Sequence, residues 1–140
     1  VVEFNVRFGD PECQVTLPLI SSDVYLMLTA AAAGKLETYE ASFSRGHCLT
    51  VVLAAEGYPG PPAKGREISG SGLSSSENAW IIHAGTDLQD GKLVSTGGRV
   101  LSVTGYGRDL AAAALQAYSV ISEIELEGSH YRRDIGFRAL

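Results

Sequence analysis

The chain has 140 residues, a formal charge of −5 and a mean hydropathy of +0.08, and 45% of its residues are hydrophobic. That length suffices for one ordinary domain, or for a small domain with part of another. The acidic balance argues against a nucleic-acid-binding protein, which needs a basic surface to neutralise phosphates. No apolar stretch is long enough to cross a bilayer. We therefore expect neither a nucleic-acid partner nor a membrane partner.

The two cysteines are too few for a disulfide framework, and neither belongs to a Cys-x-x-Cys zinc motif. Cys13 and Cys48 are therefore expected to be small buried hydrophobic side chains. This cysteine usage favours a reducing, cytoplasmic setting. The sequence starts without Met and inside an alternating apolar pattern, so we expect it to be a piece of a longer protein.

Five runs of alternating or β-branched apolar residues predict strands. They are residues 1–8, 48–55, 80–84, 92–95 and 99–104. A hairpin turn at Asp90-Gly91 leads into the fourth of these strands. The Ser- and Gly-rich residues 70–78 predict a mobile surface loop, and the mixed pattern of residues 35–46 predicts no element.

Three helices are predicted from their capping residues. Asp10 precedes a proline and is typical of the N-cap of a short helix. Ser22 or Asp23 caps a second helix over residues 24–33, which a glycine closes. Asp109 caps a long alanine-rich helix that reaches about residue 124. With helices interspersed among hairpins and no regular βαβ spacing, the chain predicts an α+β fold with a mostly antiparallel sheet and flanking helices.

Glu3, Asn5 and Arg7 share one face of the first predicted strand, because side chains two residues apart point the same way. Glu and Asn supply the hard oxygen ligands that suit Mg²⁺, and Arg7 could hold a phosphoryl oxygen through two hydrogen bonds. The same residues could equally be the solvated face of a half-buried strand. The spacing alone favours that simpler interpretation.

Six short motifs, taken in order, carry a resemblance to a known family. They are Glu3-Phe4-Asn5-Val6-Arg7-Phe8-Gly9-Asp10-Pro11-Glu12, Gly57-Tyr58-Pro59-Gly60, Lys64-Gly65, His83-Ala84-Gly85-Thr86, Gly97-Gly98-Arg99-Val100-Leu101 and Arg133-Asp134-Ile135-Gly136. Together they resemble the C-terminal portion of the phosphoribosylamine–glycine ligase (glycinamide ribonucleotide synthetase) family and span nearly the whole chain. Pro61-Pro62 and the long Ser-rich stretch at residues 70–78 depart from the family pattern, and neither touches the first motif.

The resemblance implies an ATP-grasp ligase of de novo purine biosynthesis. With ATP as co-substrate, that reaction joins glycine to 5-phosphoribosylamine and gives glycinamide ribonucleotide, ADP and phosphate. Residues 1–20 would be the C-terminal end of the ATP-grasp domain, with its last strand and helix, and residues 21–140 the C-terminal α+β domain. The family's ATP-covering loop and adenine-binding lysine lie upstream of this sequence. We therefore expect this chain alone to be inactive and to have the upstream ATP-grasp region as a partner.

The resemblance also implies roles for residues of the first motif. Glu3 and Asn5 match the family's ligands for the Mg²⁺ or Mn²⁺ of ATP. Arg7 would be catalytic and lie near the transferring phosphate, where positioning and charge neutralisation carry the chemistry. Asp10 is open to two interpretations, since it could contact an amine substrate or simply cap its helix.

Gly97, Gly98 and Arg99 form the second candidate site. Two glycines let a backbone approach a ligand closely, and their N–H groups with the arginine could bind an anion. From the residues alone, a glycine turn joining two antiparallel strands, with an exposed arginine, is the simpler interpretation. The resemblance implies that this loop helps to bind the 5-phosphate of phosphoribosylamine.

The remaining polar motifs are weaker signals. His83 ends a predicted strand and is either a site residue or, as we favour, a hydrogen-bonded core residue. Lys64 could neighbour a phosphate. Gly105 and Gly107 lack the third glycine of a dinucleotide fingerprint, and residues 132–134 predict a surface ion cluster.

Two other classes of function stay open. The chain could be a non-catalytic docking or oligomerisation module of an ATP-grasp enzyme, or part of a related ATP-grasp carboxylase or transformylase. Oligomeric state and complementation with the missing part would test the first. Activity with glycine against bicarbonate or formate would test the second.

Overall fold

The structure, a computed structural model, describes residues 1–2, 4, 6–74 and 76–139. Its helices are α1 (Cys13–Thr16), α2 (Val24–Ala32) and α3 (Leu110–Ile121), with 3₁₀ turns at Leu17–Leu19, Leu36–Thr38 and Ser71–Leu73. Its strands are β1 (His47–Ala54), β2 (Ala79–His83), β3 (Thr86–Gln89), β4 (Lys92–Ser95) and β5 (Arg99–Gly107). All strand pairs are antiparallel and helices flank the sheets, so the predicted α+β fold class is confirmed.

The main sheet has the order β1–β5–β2, with β5 in the centre. Val51 of β1 and Ile81 of β2 both lie opposite Val103 of β5, which is fully buried. α3 packs on this sheet through a stripe of small residues that includes Ala113 and Ala117. This packing of helix on sheet encloses the core of the domain.

Two glycines in β5 allow that close packing. A Cβ at Gly105 would lie 2.6 Å from the backbone nitrogen of Ala117, and one at Gly107 would lie 2.6 Å from that of Ala113. Real Cβ atoms do not make such short contacts, so α3 can approach the strand only where side chains are absent. The Gly-x-Gly pattern is therefore a helix–sheet contact, in line with its rejection as a dinucleotide motif.

β3 and β4 form the predicted hairpin as a separate two-stranded sheet. Asp90 and Gly91 at its tip have φ values of 51° and 78°, as a two-residue hairpin turn requires. A hydrogen bond of 2.8 Å from Ile68 N to the carbonyl of Leu93 attaches the hairpin to the rest of the domain.

Two predicted helix caps are confirmed. The Asp23 carboxylate accepts a 3.0 Å hydrogen bond from Leu26 N, and that of Asp109 accepts a 2.8 Å bond from Ala112 N. α3 ends at Ile121, short of the predicted residue 124, because the chain then turns away to pair with residues 69–72. The first half of the loop predicted to be mobile is therefore held against residues 123–125.

The predictions for the N-terminus are wrong in two respects. None of the described residues among 1–8 belongs to a strand, and the Val2 and Val6 side chains are fully exposed. A strand exists only if a neighbour satisfies its hydrogen bonds, and the described residues provide none here. Asp10 is not a helix N-cap, because α1 begins at Cys13 with Glu12 in the capping position.

Candidate functional site

The Gly97–Arg99 segment connects β4 to β5, which lie in different sheets. It is therefore not a turn between two paired strands. Its backbone is tied down on two sides, since Thr96 N donates to the Gly85 carbonyl at 2.8 Å and Ala55 N donates to the Gly98 carbonyl at 2.9 Å. Gly85, which follows β2, and Ala55, which follows β1, thus hold the start of β5 in place.

The glycines of this segment serve close packing. Neither Gly97 nor Gly98 has a positive φ, so they do not form the alternating right- and left-handed pair of an anion-binding nest. Instead Gly97 faces Gly85, and the ring of Tyr58 covers Gly98 so closely that a Cβ there would collide with it. A phosphate-binding role for the two glycines stays a prediction, and it would depend on the side chains that they position.

Arg99, from the second candidate site, contacts Asp10, from the first motif. Its Nη2 lies 2.9 Å from the Asp10 carboxylate, and its Nη1 donates to the Asp10 carbonyl at 3.1 Å. The other carboxylate oxygen of Asp10 accepts a 3.0 Å hydrogen bond from Gln14. The structure therefore brings together two predicted site residues that are 89 positions apart, and this pairing replaces the predicted helix-capping role of Asp10.

The other predicted site residues of the first motif are not part of this contact. Arg7 is exposed and donates a 2.8 Å hydrogen bond to the carbonyl of Phe8. Glu3 and Asn5, the predicted metal ligands, lie outside the described residues. Among the residues that the structure describes, no group of three or more His, Cys, Asp and Glu side chains could hold a metal ion. Glu and Asn nevertheless supply the oxygen donors that Mg²⁺ and Mn²⁺ prefer.

His83 and Lys64 are both exposed. The Nδ1 atom of His83 lies 3.0 Å from the hydroxyl of Thr86, so this histidine is hydrogen-bonded as expected but does not lie in the core. Lys64 precedes Gly65, whose N–H binds the carbonyl of Ser95 at the end of β4.

Two open depressions flank the Asp10–Arg99 pair. An apolar groove of about 450 Å³ lies on the Asp10 side. It is lined by Phe8, Gly9, Asp10, Cys13, Gln14, Leu17, Pro18 and Ile82. A smaller cleft of about 220 Å³ lies on the Arg99 side, and His130 and Arg132 line it together with Arg99. The sequence motifs did not single out His130, because it reaches this site only through pairing of its backbone with Ala54.

The two cysteines are partly buried and free. Burial raises the pKa of the Cys48 thiol above its ordinary value. A thiol of raised pKa is a poor nucleophile near neutral pH, which agrees with the expected packing role.

Comparison with known proteins identifies the fold's relatives. A family model described as "Phosphoribosylglycinamide synthetase, C domain" matches residues 48–138. The chain belongs to the phosphoribosylglycinamide synthetase family. The resemblance inferred from the motifs is therefore confirmed.

Several relatives of this family match along the whole chain. A phosphoribosylamine–glycine ligase of Agrobacterium fabrum is 47% identical, covering 100% of this chain and 33% of the relative. A phosphoribosylamine–glycine ligase of Mycobacterium tuberculosis is 52% identical, covering 99% of this chain and 32% of the relative. The trifunctional purine biosynthetic protein adenosine-3 of Gallus gallus is 48% identical, covering 100% of this chain and 14% of the relative.

A solved structure shares the fold. The crystal structure of the phosphoribosylamine–glycine ligase of Thermotoga maritima matches with a TM-score of 0.76 and 37% identity, covering 96% of this chain and 33% of that one. The chain thus spans about a third of the length of the curated ligases that it matches. Among the described residues, no helix is both long and apolar enough to cross a membrane.

Proposed function

We propose that this chain is the C-terminal part of an ATP-dependent ligase that joins glycine to 5-phosphoribosylamine in de novo purine biosynthesis. The observation that carries the proposal is the identity of 43–52% to ligases of that name along essentially the whole chain. In this proposal residues 1–20 end the ATP-grasp domain and residues 21–140 form the C-terminal domain. Free cysteines suit the cytoplasm, where we place the enzyme.

The proposed reaction has two steps. A carboxylate oxygen of glycine attacks the γ-phosphorus of ATP, which forms glycyl phosphate and releases ADP. The amine nitrogen of phosphoribosylamine then attacks the carbonyl carbon, which releases phosphate and forms the amide. Both steps move negative charge between phosphoryl and carboxyl oxygens, so fixed positive charges are the main catalytic requirement.

The chain's own residues fit that requirement. Arg7 and Arg99 supply guanidinium groups, and Asp10 orients Arg99 through two contacts. Glu3 and Asn5 would hold the Mg²⁺ or Mn²⁺ of ATP, which when bound adds positive charge beside the phosphates. Asp10 is in this view a positioning residue, because it acts on the substrate through Arg99.

A chimera tests the proposal. The first two-thirds of the Mycobacterium tuberculosis relative, fused to this chain at the start of the matched region, should form glycinamide ribonucleotide from glycine, phosphoribosylamine and ATP. Glu3→Ala in the chimera should abolish turnover, and Arg7→Met should lower kcat by at least tenfold. Arg45→Met removes an exposed arginine outside the motifs and serves as the matched control.

Three results would count against the proposal. The first is activity of the isolated 140-residue chain. The second is a chimera that uses bicarbonate or formate in place of glycine. The third is full activity of the Glu3→Ala chimera, which would remove Glu3 as a metal ligand.

One observation favours a second candidate function, a docking module for the rest of an ATP-grasp enzyme. α2 is apolar on all sides, yet none of its residues is buried, and Tyr25 and Leu26 are 76% and 52% exposed. A helix of this composition is normally covered by other protein. If docking is the whole function, the chain should bind the separately expressed first two-thirds of the relative without restoring activity, and Leu26→Glu should abolish that binding.

A further inference from the structure

Gln14, a residue outside the six sequence motifs, carries a buried oxygen without a hydrogen-bond partner. It is half-buried in α1 and lines the apolar groove of about 450 Å³ together with side chains such as Leu17 and Ile82. Its Oε1 atom is buried, and no residue that the structure describes donates a hydrogen bond to it. Because burying a polar atom without a partner destabilises a protein, packing does not explain a glutamine at this position.

The nitrogen of the same amide does have a partner. Nε2 of Gln14 donates a 3.0 Å hydrogen bond to Oδ1 of Asp10. The opposite orientation of the amide would place its oxygen against the carboxylate, and two acceptors cannot share a hydrogen bond. The side chain of Gln14 therefore has one favoured orientation, in which its N–H groups face Asp10.

Asp10 passes this orientation on to Arg99. Oδ2 of Asp10 lies 2.9 Å from Nη2 of Arg99, and the Asp10 carbonyl accepts a 3.1 Å hydrogen bond from Nη1. Each carboxylate oxygen thus has its own donor, Gln14 for one and Arg99 for the other. Asp10 is 45% exposed, so without the N–H of Gln14 its carboxylate would be free to rotate toward water.

The backbone places Gln14 within reach of Asp10. Cys13 N donates to the Gly9 carbonyl at 2.9 Å, and Gln14 N donates to the Pro11 carbonyl at 3.2 Å. These two bonds fold residues 9–14 into consecutive turns. The hydrogen bond between the side chains of Asp10 and Gln14, four positions apart, follows from that fold.

We propose that Gln14 is a positioning residue for Arg99, which it holds in place through Asp10. A methionine has a similar length and would fill the apolar groove without a buried acceptor, so glutamine lowers the stability of the fold. A residue that lowers stability while it orders a neighbouring guanidinium group is typical of a functional site. The reaction in which Arg99 takes part rests on the proposed function, whereas the role of Gln14 rests on the geometry.

The first test measures stability and side-chain order in the 140-residue chain. Gln14→Met should have a urea midpoint no lower than that of the wild type, because it removes the unpartnered acceptor. In ¹⁵N relaxation measurements, the order parameter of Arg99 Nε should fall in this variant to below about 0.6, as in flexible groups. Gln116→Met is the matched control, since Gln116 is a half-buried glutamine of α3 outside the Asp10–Arg99 contact. It should leave the order of Arg99 unchanged.

The second test measures activity in the chimera with the Mycobacterium tuberculosis relative. Gln14→Met should lower kcat/KM by at least about threefold, because a displaced guanidinium group binds its target less well. In an Asp10→Ala background the same substitution should lower kcat/KM by less than about 1.5-fold, because Gln14 acts only through Asp10. A merely structural role of Gln14 would instead give equal losses in both backgrounds. Gln116→Met should leave kcat/KM unchanged.

Three results would overturn the proposal. The first is a Gln14→Met chain that is less stable than the wild type or does not fold. The second is an Arg99 Nε order parameter that Gln14→Met leaves unchanged. The third is an equal loss of kcat/KM on Gln14→Met in the presence and in the absence of the Asp10 carboxylate.

The role of Gln14 and the proposed function can fail separately. A chimera that makes glycinamide ribonucleotide and is unaffected by Gln14→Met refutes the role of Gln14 and keeps the ligase. Loss of Arg99 order in the Gln14→Met chain, together with a chimera that does not use glycine, keeps the role of Gln14 and refutes the ligase.

Discussion

Gly85 connects the packing of the fold to the position of Arg99. A Cβ at Gly85 would lie 2.8 Å from three backbone atoms: the Arg99 carbonyl oxygen and the Cα and nitrogen of Gly97. Backbone atoms cannot rotate away as the end of a side chain can. Gly85→Ala should therefore push the Gly97–Arg99 segment off the end of β2 and disturb the contact between Arg99 and Asp10.

The expected loss of stability follows from comparing an alanine at Gly85 with an alanine at Gly97, on the other side of the same contact. A Cβ at Gly97 would meet only one close backbone atom, the Cα of Gly85 at 3.3 Å, and the Arg99 carbonyl at an ordinary 3.8 Å. Overpacking that forces backbone shifts costs about 1–3 kcal/mol. Because of the three backbone overlaps, the destabilisation by Gly85→Ala should lie at the upper end of this range, about 2–3 kcal/mol. We expect less than about 1 kcal/mol for Gly97→Ala, because an alanine also reduces the entropy of the unfolded chain.

Urea denaturation followed by circular dichroism measures both variants. With a slope of about 2 kcal/mol per M, Gly85→Ala should lower the midpoint by about 1 M or more and Gly97→Ala by less than about 0.5 M. Equal loss of stability in the two variants, or a neutral Gly85→Ala, would show that this contact does not fix the segment. Gly91→Ala gives a reference for backbone strain alone, since its φ is +78° and nothing lies within 4 Å of the new Cβ.

Two further predictions concern the carboxylates. The first is a double-mutant cycle of Asp10→Asn and Arg99→Met. Because the two side chains are 45% and 42% exposed, their coupling free energy should be below about 1 kcal/mol and should fall with added salt. A coupling free energy of more than about 2 kcal/mol would contradict this. The backbone hydrogen bond from Ala112 lowers the pKa of Asp109, so its contribution to stability is present above the ordinary aspartate pKa and is lost as the pH falls through the lower, folded-state value. The stability advantage of the wild type over Asp109→Ala should therefore shrink in thermal melts below about pH 4, and an advantage unchanged at pH 2 would refute the capping argument.

Local chemistry explains the parts of the fold that the sequence predicted well. The hairpin at Asp90-Gly91 was predictable because only a few residue types accept positive φ at both central positions. The caps at Asp23 and Asp109 were predictable because a short carboxylate three positions before a helical N–H can satisfy it. These signals act within four residues, so no knowledge of distant contacts was needed.

The two wrong predictions at the N-terminus failed because they depend on contacts that the local sequence does not reveal. Alternation at residues 1–8 shows which side chains could share a face, but a strand also needs a neighbour for its hydrogen bonds. Asp10 had the right spacing for a helix cap, yet its carboxylate binds Arg99 and Gln14 instead. In both cases the deciding partner is distant in sequence or outside the described residues.

The sequence by itself determined the fold class, the hairpin, the caps of α2 and α3 and, through the order of six motifs, the family. Only the tertiary structure showed that Arg99 contacts Asp10 and that Arg99, His130 and Arg132 line one cleft. The reason is physical: turns and caps depend on φ preferences and on hydrogen bonds between near neighbours. The arrangement of arginines around a cleft depends instead on which distant backbones the core brings into contact, and here glycines allow that close approach.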